Sequence, residues 1–479
     1  MVKKPLFIST SIPYVNARPH LGHALEFVQA DAFARFARMV GYDVFFLSGT
    51  DDNALKNVLK AEEAGEDVRK YVNRHALIFK ELLEQLNVSH DDFIRTSHDA
   101  RHLVGAQTLW KSFKKEDVVK KEYEGLYCVG CEEFKTEKDL VNGECPEHPG
   151  KKPERILEEN YFFKLGNYTE ALIAYIEEDK LRISPQTRKN EVLSFLRGGL
   201  EDLSISRSMA RAHGWGVPVP HDDSQVMYVW VDALSNYITA LEYGTHGDNF
   251  THYWENPASR SIHVIGKGIS RFHAIYWPAM LLSAGVPLPK QLVVHGYITV
   301  NAQKMSKTIG NVVDPLSLVA EYGTDAVRYY LLREVHPFED GDFTFERFKE
   351  VYNANLANGL GNVVSRVMKL AETYLAADEL PTIEMPEAFA ALLEEYKYNE
   401  AMDYIWKLIK EADGRMTSEE PFKLIKTDSE KAKKCIYELR AMVYAIGWLL
   451  APMLPETSEK ILQAVRDNKK PEPLFLRRD

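Results

Sequence analysis

The stretch DVFFLSGTDD, residues 43–52, decides the fold. Its Phe-Phe-Leu core is a continuous apolar run, which is typical of a strand buried on both faces of a parallel sheet. A short β-rich run at residues 6–9 precedes it. Between the two, residues 24–40 place apolar side chains at helical spacing and end at Gly41, a residue suited to a helix C-terminus. The order strand, helix, parallel strand predicts a Rossmann-like sheet with ligands at its carboxyl edge.

Length and composition indicate a large globular protein. The chain has 479 residues, of which 45% are hydrophobic and 27% are charged, so we expect about three domains. No apolar run approaches the roughly 18 residues that a membrane helix needs, and the apolar stretch after Met1–Pro5 is too short for a signal peptide. We expect a soluble, cytoplasmic protein that does not associate with a membrane.

The charge balance does not point to a nucleic-acid partner. The chain carries 59 Lys and Arg against 70 Asp and Glu, a net charge of -11, so an RNA-binding protein of this composition would depend on local patches. Residues 351–479 carry 18 basic and 21 acidic side chains, so this region has no general electrostatic footprint for RNA either.

Three of the four cysteines lie in one short segment with the spacing of a metal site. Cys128 and Cys131 are separated by two residues, and Cys145 and His148 form a second pair with the same spacing. Two such pairs supply the four donors that tetrahedral Zn(II) prefers, and a closed four-ligand site is structural. The alternative, thiols without a metal, is disfavoured by the glycines and the proline that form turns beside the ligands.

The stretch HLGH at residues 20–23 opens the first long helix. A helix N-terminus offers backbone N–H groups and the positive end of the helix dipole, and two imidazoles on the first turn add donors for phosphate oxygens. Gly22 allows a flat base to approach the backbone closely. A metal site is a poorer interpretation, because two imidazoles three residues apart are only half a site. Taken alone, the motif also fits a helix start with incidental histidines.

A second basic element is the stretch NAQKMSKTIGNV at residues 301–312, which holds Lys304 and Lys307. The segment has little hydrophobic anchoring, so we expect a mobile loop. Two ammonium groups would neutralise much of the charge of a triphosphate. In isolation, the loop fits a solvated charged turn equally well.

These motifs occur in the order seen in class I aminoacyl-tRNA synthetases, with HLGH first, paired cysteines in an insertion, and KMSKT after a late strand. Within that class the chain resembles the methionyl-tRNA synthetases over essentially its whole length. The stretches that carry the resemblance are SIPYVNARPHLGH, FFLSGTDD, YVWVDALSNY, VIGKGISRFHAIYWPAML, HGYITVNAQKMSK, GDFTFERF and NANLANGLGN. The resemblance implies a ligase that uses L-methionine, ATP with Mg(II), and tRNA(Met), and that forms a methionyl-adenylate before charging the 3'-terminal adenosine.

The resemblance also implies roles for particular residues. It implies catalytic roles for His20, His23, Lys304 and Lys307, and further ATP contacts by Gly22, Glu26, Gly266 and Lys267. The implied methionine contacts are Ile12, Tyr14, Asp51, Trp230, Ala233, Tyr237 and His273, with Asp51 paired to the ammonium group. The implied anticodon contacts are Asn358, Asn362, Arg366 and Phe422. From spacing alone, the first three of these four also fit a polar face in solvent.

The implied fold class is α/β, with a Rossmann-like parallel-sheet catalytic domain, an inserted zinc-knuckle connective domain and an all-α anticodon-binding bundle. We predict the two catalytic halves at residues 1–118 and 166–300 and the insert at residues 119–165. The lysine loop and a linking region follow at residues 301–350, and the bundle at residues 351–479. We expect a monomer, because the chain stops soon after the helical region, with no appended dimerisation domain.

This sequence departs from the family pattern at three places. Asp52-Asn53-Ala54 follow Asp51 where relatives commonly have Glu-His-Gly, and Gly268 stands where a carboxylate is expected to hold the ATP ribose. Phe422 stands where a tryptophan often stacks on the anticodon, and phenylalanine stacks with less surface. These changes keep open the alternative of a catalytically silent paralogue that binds tRNA or RNA. A class I synthetase for another amino acid, such as cysteine, is the alternative within the enzyme class.

Overall fold

The structure, a computed structural model, describes most of the chain. The described residues are 3–130, 133–135, 137–146, 150, 152–245, 247–305, 310–377 and 381–478. The chain divides into two compact units. The first unit comprises Met1–Arg18, Tyr42–Glu81 and His90–Val294, and the second comprises Pro19–Gly41, Leu82–Ser89 and His295–Asp479.

The strands, in chain order, are β1 (Pro5–Thr10), β2 (Asp43–Thr50), β3 (Asp92–Arg95), β4 (Val118–Cys128), β5 (Glu133–Lys135), β6 (Glu154–Phe163), β7 (Arg182–Ser184), β8 (Leu203–Ser204), β9 (Ser206–Ser208), β10 (Pro218–Val219), β11 (Asp222–Met227), β12 (Arg260–Gly266), β13 (Gln291–His295), β14 (Ile298–Val300), β15 (Gln303–Lys304) and β16 (Gly341–Phe343).

The α-helices are α1 (Leu21–Met39), α2 (Leu55–Glu63), α3 (Val68–Gln85), α4 (Ala100–Ser112), α5 (Thr169–Glu177), α6 (Gln186–Arg197), α7 (Val229–Thr239), α8 (Asp248–Phe250), α9 (Trp277–Ala284), α10 (Pro315–Tyr322), α11 (Thr324–Tyr329), α12 (Phe345–Val351), α13 (Asn362–Tyr374), α14 (Glu387–Glu394), α15 (Tyr398–Glu419), α16 (Pro421–Leu424), α17 (Ser429–Leu450) and α18 (Pro455–Arg466). Segments of π-helix cover Thr251–Glu255, Phe272–Tyr276, Tyr330–Glu334 and Tyr352–Gly361. No helix in the described ranges combines the length and apolarity that crossing a bilayer requires.

The first unit is built on a sheet with strand order β3-β2-β1-β12-β13-β7. The strand β1 pairs in parallel with both β2 and β12, β2 with β3, and β13 with β7. Every residue of β1 is buried, as expected for a central strand covered on both faces. At Gly49 in β2 the backbone of β3 comes so close that an added Cβ would lie 2.2 Å from the Ile94 carbonyl oxygen. The prediction of an α/β fold with a parallel sheet is therefore confirmed.

The cysteine-containing segment lies between two long strands of the first unit. The strands β4 and β6 pair antiparallel from Val118 opposite Phe163 to Tyr127 opposite Glu154, in a sheet with order β5-β4-β6-β8. Their alternating burial leaves one face toward solvent, as is common in antiparallel sheets.

The second unit contains α1, a small sheet and the C-terminal helices. The sheet has strand order β15-β14-β16, and Asn301 and Ala302 join β14 to β15 with positive φ angles of 52° and 58°. Such angles suit a tight two-residue hairpin turn. The helices α13, α15 and α17 pack together and bury apolar residues such as Leu439 and Val443.

Candidate active site

The carboxyl ends of β1 and β2 in the first unit carry the predicted ammonium-binding carboxylate. Asp51 follows β2, and its backbone N–H donates to the Pro13 carbonyl at 2.9 Å, within an isolated parallel bridge between Tyr14 and Asp51. The Asp51 side chain is buried, and its Oδ1 accepts the backbone N–H of Asn53 at 3.0 Å. Asp51 thus stands at the carboxyl edge of the parallel sheet, where ligands of such sheets bind.

Asp52, which replaces the glutamate of the family pattern, holds the local structure together. Its Oδ2 pairs with Arg95 at 2.7 Å and accepts the Ser97 hydroxyl at 2.8 Å, and its Oδ1 accepts the Thr50 hydroxyl at 2.8 Å. Burial raises the pKa of Asp52, and Arg95 and the two hydroxyls oppose that shift. The substituted residue is thus fully engaged within the first unit.

Asn53 begins a chain of buried hydrogen bonds that the sequence did not reveal. Its Nδ2 donates to Asp232 Oδ2 at 2.8 Å, and Asp232 Oδ1 lies 2.5 Å from His102 Nε2. His102 Nδ1 in turn lies 2.9 Å from the hydroxyl of Thr239. We call these four side chains the Asp232 network. Asp232 stands within the quoted stretch YVWVDALSNY, but nothing in the sequence pairs it with His102 on α4.

Aromatic side chains from α7 and from the π-helical segment Phe272–Tyr276 form an apolar wall. Trp230 stacks on Phe272 with ring centroids 3.7 Å apart, and Tyr14 meets Trp230 edge-on at 6.3 Å. The Tyr237 hydroxyl is 2.7 Å from His273 Nε2, and His273 Nδ1 is 3.0 Å from the Ile269 carbonyl. Since the carbonyl can only accept, Nδ1 carries a proton, and in the neutral tautomer Nε2 accepts from Tyr237.

The predicted methionine residues therefore stand on neighbouring elements of one unit. Ile12 and Tyr14 follow β1 and are partly buried against the core, and Ala233 is buried on α7 between Trp230 and Tyr237 in sequence. Flat aromatic faces favour a polarizable thioether by roughly 0.3 to 1.5 kcal/mol per contact. The pair Gly266 and Lys267 ends β12 in the same unit and opens a short 3₁₀ turn that includes Gly268.

In the second unit, His20 and His23 cap the N-terminus of α1 reciprocally. His20 Nδ1 accepts the backbone N–H of Gly22 at 3.1 Å, and His23 Nδ1 accepts the backbone N–H of His20 at 3.1 Å. The two rings stack with centroids 3.8 Å apart. Because each Nδ1 is an acceptor, a neutral ring at either position carries its proton on Nε2. The cap thus fixes both imidazoles as N–H donors at the positive end of a helix, where anions bind.

The pKa of His23 is held well below its usual value. Burial is the main cause, and the neighbouring positive charges of His20 and His295 act in the same direction. A neutral His23 keeps its Nδ1 acceptor in the cap and its Nε2–H as a donor. Glu26, one turn further along α1, is buried, and its Oε2 lies 2.9 Å from His295 Nε2.

The start of the lysine loop lies beside the helix cap within the second unit. A Cβ added at Gly22 would stand 3.0 Å from the His20 ring and 3.8 Å from Met305 Cε. The backbone N–H of Leu21 donates to the Val313 carbonyl at 3.1 Å, so both ends of the loop approach the HLGH turn. The backbone of Lys304 lies in β15, whereas Lys307 falls outside the described residues.

Comparison with known proteins agrees with this geometry. The family described as tRNA synthetases class I (M) matches residues 6–154 and 148–368. The methionine–tRNA ligase of Clostridium acetobutylicum is 43% identical over 96% of this chain and 73% of that protein, and the Thermotoga maritima ligase is 40% identical over 97% and 76%. The chain belongs to the class I methionyl-tRNA synthetase family. The family assignment made from the motifs is confirmed.

A solved structure of the family extends the match to three dimensions. The methionyl-tRNA synthetase of Mycobacterium tuberculosis in complex with methionyl-adenylate superposes with a TM-score of 0.88 at 38% identity. The match covers 96% of this chain and 93% of that one. The fold shared with this family member therefore spans both units.

Two of the four predicted zinc ligands are described, and both are buried. Cys128 ends β4, and Cys145 follows a turn at Asn142 and Gly143 with positive φ angles of 53° and 76°. Cys131 and His148 lie outside the described residues. Among the residues that are described, no group of three or more His, Cys, Asp and Glu side chains is arranged to hold a metal.

The predicted anticodon residues lie on helical segments of the second unit. Asn358 is exposed in the π-helical segment Tyr352–Gly361, and Asn362 is exposed at the start of α13, so their spacing spans a change in helix type. Arg366 forms an ion pair with Asp413 at 2.7 Å. Phe422 on α16 has 43% of its surface exposed, and the Lys423 ammonium lies 5.9 Å from the centroid of its ring.

Proposed function

We propose that this chain is a methionine–tRNA ligase. In the first step the methionine carboxylate oxygen attacks the α-phosphorus of ATP, the bond to the β-phosphate oxygen breaks, and pyrophosphate leaves. In the second step a ribose hydroxyl of the 3'-terminal adenosine of tRNA(Met) attacks the carbonyl carbon of methionyl-adenylate, and AMP leaves. The observation that carries the proposal is the reciprocal cap at His20 and His23, which presents two imidazole N–H donors at a helix N-terminus.

In-line displacement at phosphorus needs positioning and charge stabilisation more than a side-chain nucleophile. The Nε2–H groups of His20 and His23 would follow the phosphate oxygens as negative charge develops. Lys304 and Lys307 would neutralise the departing pyrophosphate, together with the Mg(II) that accompanies ATP. Met305 of this loop lies near the HLGH turn, with its Cε 3.8 Å from the place of a Cβ at Gly22, and this proximity supports the arrangement.

Methionine recognition would depend on Asp51 and on the aromatic wall. Asp51 would pair with the α-ammonium group, and Trp230, Tyr237 and His273 would surround the side chain, with Ile12, Tyr14 and Ala233. Such a wall selects for shape only modestly, since one methylene is worth about 1 to 3 kcal/mol. Gly266, Lys267, Gly22 and Glu26 would contribute ATP contacts.

For the tRNA we propose that Asn358, Asn362, Arg366 and Phe422 contact the anticodon. The exposure of both asparagines and of the Phe422 ring supports a role in base contacts, because unstacked bases are recognised through their edges and faces. Arg366 would have to leave Asp413, an exchange that an exposed ion pair permits at small cost.

We also propose a structural Zn(II) held by Cys128, Cys131, Cys145 and His148. The two described cysteines are buried, as closed thiolate sites require, and three thiolates with one imidazole are a donor set that zinc prefers. Bound zinc would cross-link the segment between β4 and β6, whose sequence has few apolar residues.

Exchange of radiolabelled pyrophosphate into ATP tests the first step. We expect exchange that depends on methionine and is far weaker with cysteine, leucine or isoleucine, followed by charging of tRNA(Met). Absence of methionine-dependent exchange in the purified full-length chain would support the silent paralogue instead, and exchange driven by cysteine would support the other synthetase.

A further inference from the structure

The Asp232 network lies directly behind the carboxylate proposed to bind the ammonium group. Asp51 Oδ1 accepts the backbone N–H of Asn53, and the side chain of that same residue donates to Asp232. Asp232 also meets His102 Nε2 at 2.5 Å. Asp51, Asp232 and His102 each have at most 1% of their surface exposed. These groups therefore hold fixed positions away from solvent.

Close packing of α4 against α7 brings the network together. A Cβ added at Gly105 on α4 would lie 2.4 Å from Thr239 Cγ2 on α7, so only glycine allows this approach. The approach places His102, one turn earlier on α4, between Asp232 and Thr239. Both ring nitrogens of His102 are then engaged, which fixes the orientation of the ring.

Asn53 joins two parts of the proposed methionine site. Its backbone orients Asp51, which would meet the ammonium group, and its side chain is tied to α7, which carries Trp230 and Tyr237. A backbone donor that is held in place fixes the direction of the carboxylate oxygen that accepts from it.

We propose that Asn53, Asp232 and His102 are positioning residues that orient Asp51 toward the α-ammonium group and couple that contact to the side-chain pocket on α7. This inference rests on the proposed function, because it takes Asp51 as the partner of the ammonium group. None of the three residues needs to touch methionine. Loss of the tether lets the loop that holds Asp51 shift, and a charge pair in a buried site is sensitive to such shifts.

The test compares binding of methionine with binding of 4-(methylthio)butanoate, which is methionine without its amino group. The Kd of this analogue divided by the Kd of methionine reports the contribution of the ammonium group alone. In Asn53→Ala the backbone N–H remains but the tether to Asp232 is lost. We expect the ratio to fall by about fivefold, the effect of one typical net hydrogen bond, while the Kd of the deaminated analogue stays within about twofold. An unchanged ratio overturns the proposal.

Asp232→Asn provides a second variant of nearly equal volume. Its amide oxygen can accept from only one of Asn53 and His102, and its NH2 group reaches the other only after an amide flip of Asn53 or a tautomer change of His102. The carboxylate that serves both is therefore lost without a cavity, and a fall of the ratio in the same direction is expected. Ser235→Ala is the matched control, because Ser235 is also buried on α7 and its hydroxyl donates to the Asp232 backbone carbonyl at 2.7 Å, not to the Asp232 side chain. A comparable fall in the control would mean general softening of α7, and the proposal would be wrong.

The wild-type measurement separates this inference from the proposed function. If the wild-type chain binds both compounds equally, Asp51 does not recognise an ammonium group and the proposed function loses its amino-acid site. If wild type prefers methionine and both network variants keep that preference, only the positioning role fails.

Discussion

Arg328 and Asp31 form a fully buried ion pair in the second unit, with Nη2 and Oδ2 2.8 Å apart. The same guanidinium donates to the carbonyls of Met453 at 2.8 Å, Leu86 at 3.1 Å and Pro452 at 3.2 Å. Burial by itself raises the pKa of Asp31, but Arg328, Arg35 and Ser89 outweigh it and hold that pKa below its usual value. One arginine on α11 thereby joins α1, which carries the HLGH turn, to Leu86 after α3 and to the Pro452–Met453 turn after α17.

Arg328→Met is expected to destabilise the second unit strongly. It removes the donors of three buried carbonyls and leaves Asp31 without its buried partner. Breaking a buried ion pair in this way typically costs about 3 to 5 kcal/mol. Urea denaturation measures the loss. Lys369→Met, which removes an exposed ion pair with Glu372, is the control and should change stability by less than about 0.5 kcal/mol. Equal midpoints for the two variants would contradict the prediction.

Stability should fall as the solution becomes acidic, because His263 in the first unit is fully buried. Burial, and then the nearby charge of His273, hold the pKa of His263 well below its usual value of 6.5. The folded state therefore binds fewer protons than the unfolded state below about pH 6.5. Below about pH 6.5, protonation of His263 in the unfolded state should lower the free energy of unfolding by up to about 1.4 kcal/mol per pH unit. Above pH 7, His263 should not affect the free energy of unfolding.

His263→Phe tests this assignment by removing the titrating group while keeping an aromatic ring. Its stability should vary less between pH 7 and pH 5.5 than that of wild type, in thermal denaturation at each pH. The exposed His336→Asn is the control and should follow the wild-type profile. Identical profiles for wild type and His263→Phe would show that another group is responsible.

His20→Asn should separate capping from catalysis. Asparagine is a good helix N-cap and can still accept the Gly22 N–H, but it lacks the imidazole donor at Nε2. We expect an unchanged melting temperature and a fall in pyrophosphate exchange of about 10²-fold to 10³-fold, the usual effect of losing one donor to a developing charge.

His20→Ala is the companion variant, because it loses both the cap and the donor. It should lose a similar amount of exchange activity and in addition about 1 kcal/mol of stability. Wild-type exchange rates in His20→Asn would remove the phosphate role of this imidazole.

Metal analysis should find about one zinc per chain in the purified protein. Cys145→Ser should lose zinc and melt several degrees lower, since bound metal contributes folding free energy. Cys435→Ser is the control: Cys435 is buried on α17 in the second unit and is not a predicted ligand, so zinc content should stay at the wild-type level. Loss of zinc without a change in melting temperature would contradict a structural role.

Much of the fold follows from periodicity in the sequence. The strand at Asp43–Thr50 and the helix at Leu21–Met39 match the apolar patterns of those stretches, because a doubly buried strand and an amphipathic helix have distinct spacings. The sequence did not predict that α1 belongs to the same compact unit as residues 295–479. That grouping depends on long-range pairs such as Arg328 with Asp31. Periodicity reports which side of a helix is buried and does not report what covers it.

The candidate site was only partly accessible to sequence reasoning. The motifs singled out His20, His23 and Asp51, whereas His102 and Asp232 were missed because their pairing joins residues 130 positions apart. The roles of the named site residues, the zinc site and the monomeric state stay predictions, and sedimentation of the 54.8 kDa chain tests the last of these.

The reciprocal cap has an evolutionary consequence. In this chain the imidazole rings whose Nε2–H groups would serve ATP also complete the first turn of α1 through their Nδ1 atoms, so selection for folding and selection for activity act on the same side chains. A descendant released from catalytic duty would still be under pressure to fill position 20 with a capping residue. A relative that keeps the fold but has asparagine, serine or aspartate at this position would therefore be expected to have lost catalytic activity while keeping a stable helix start.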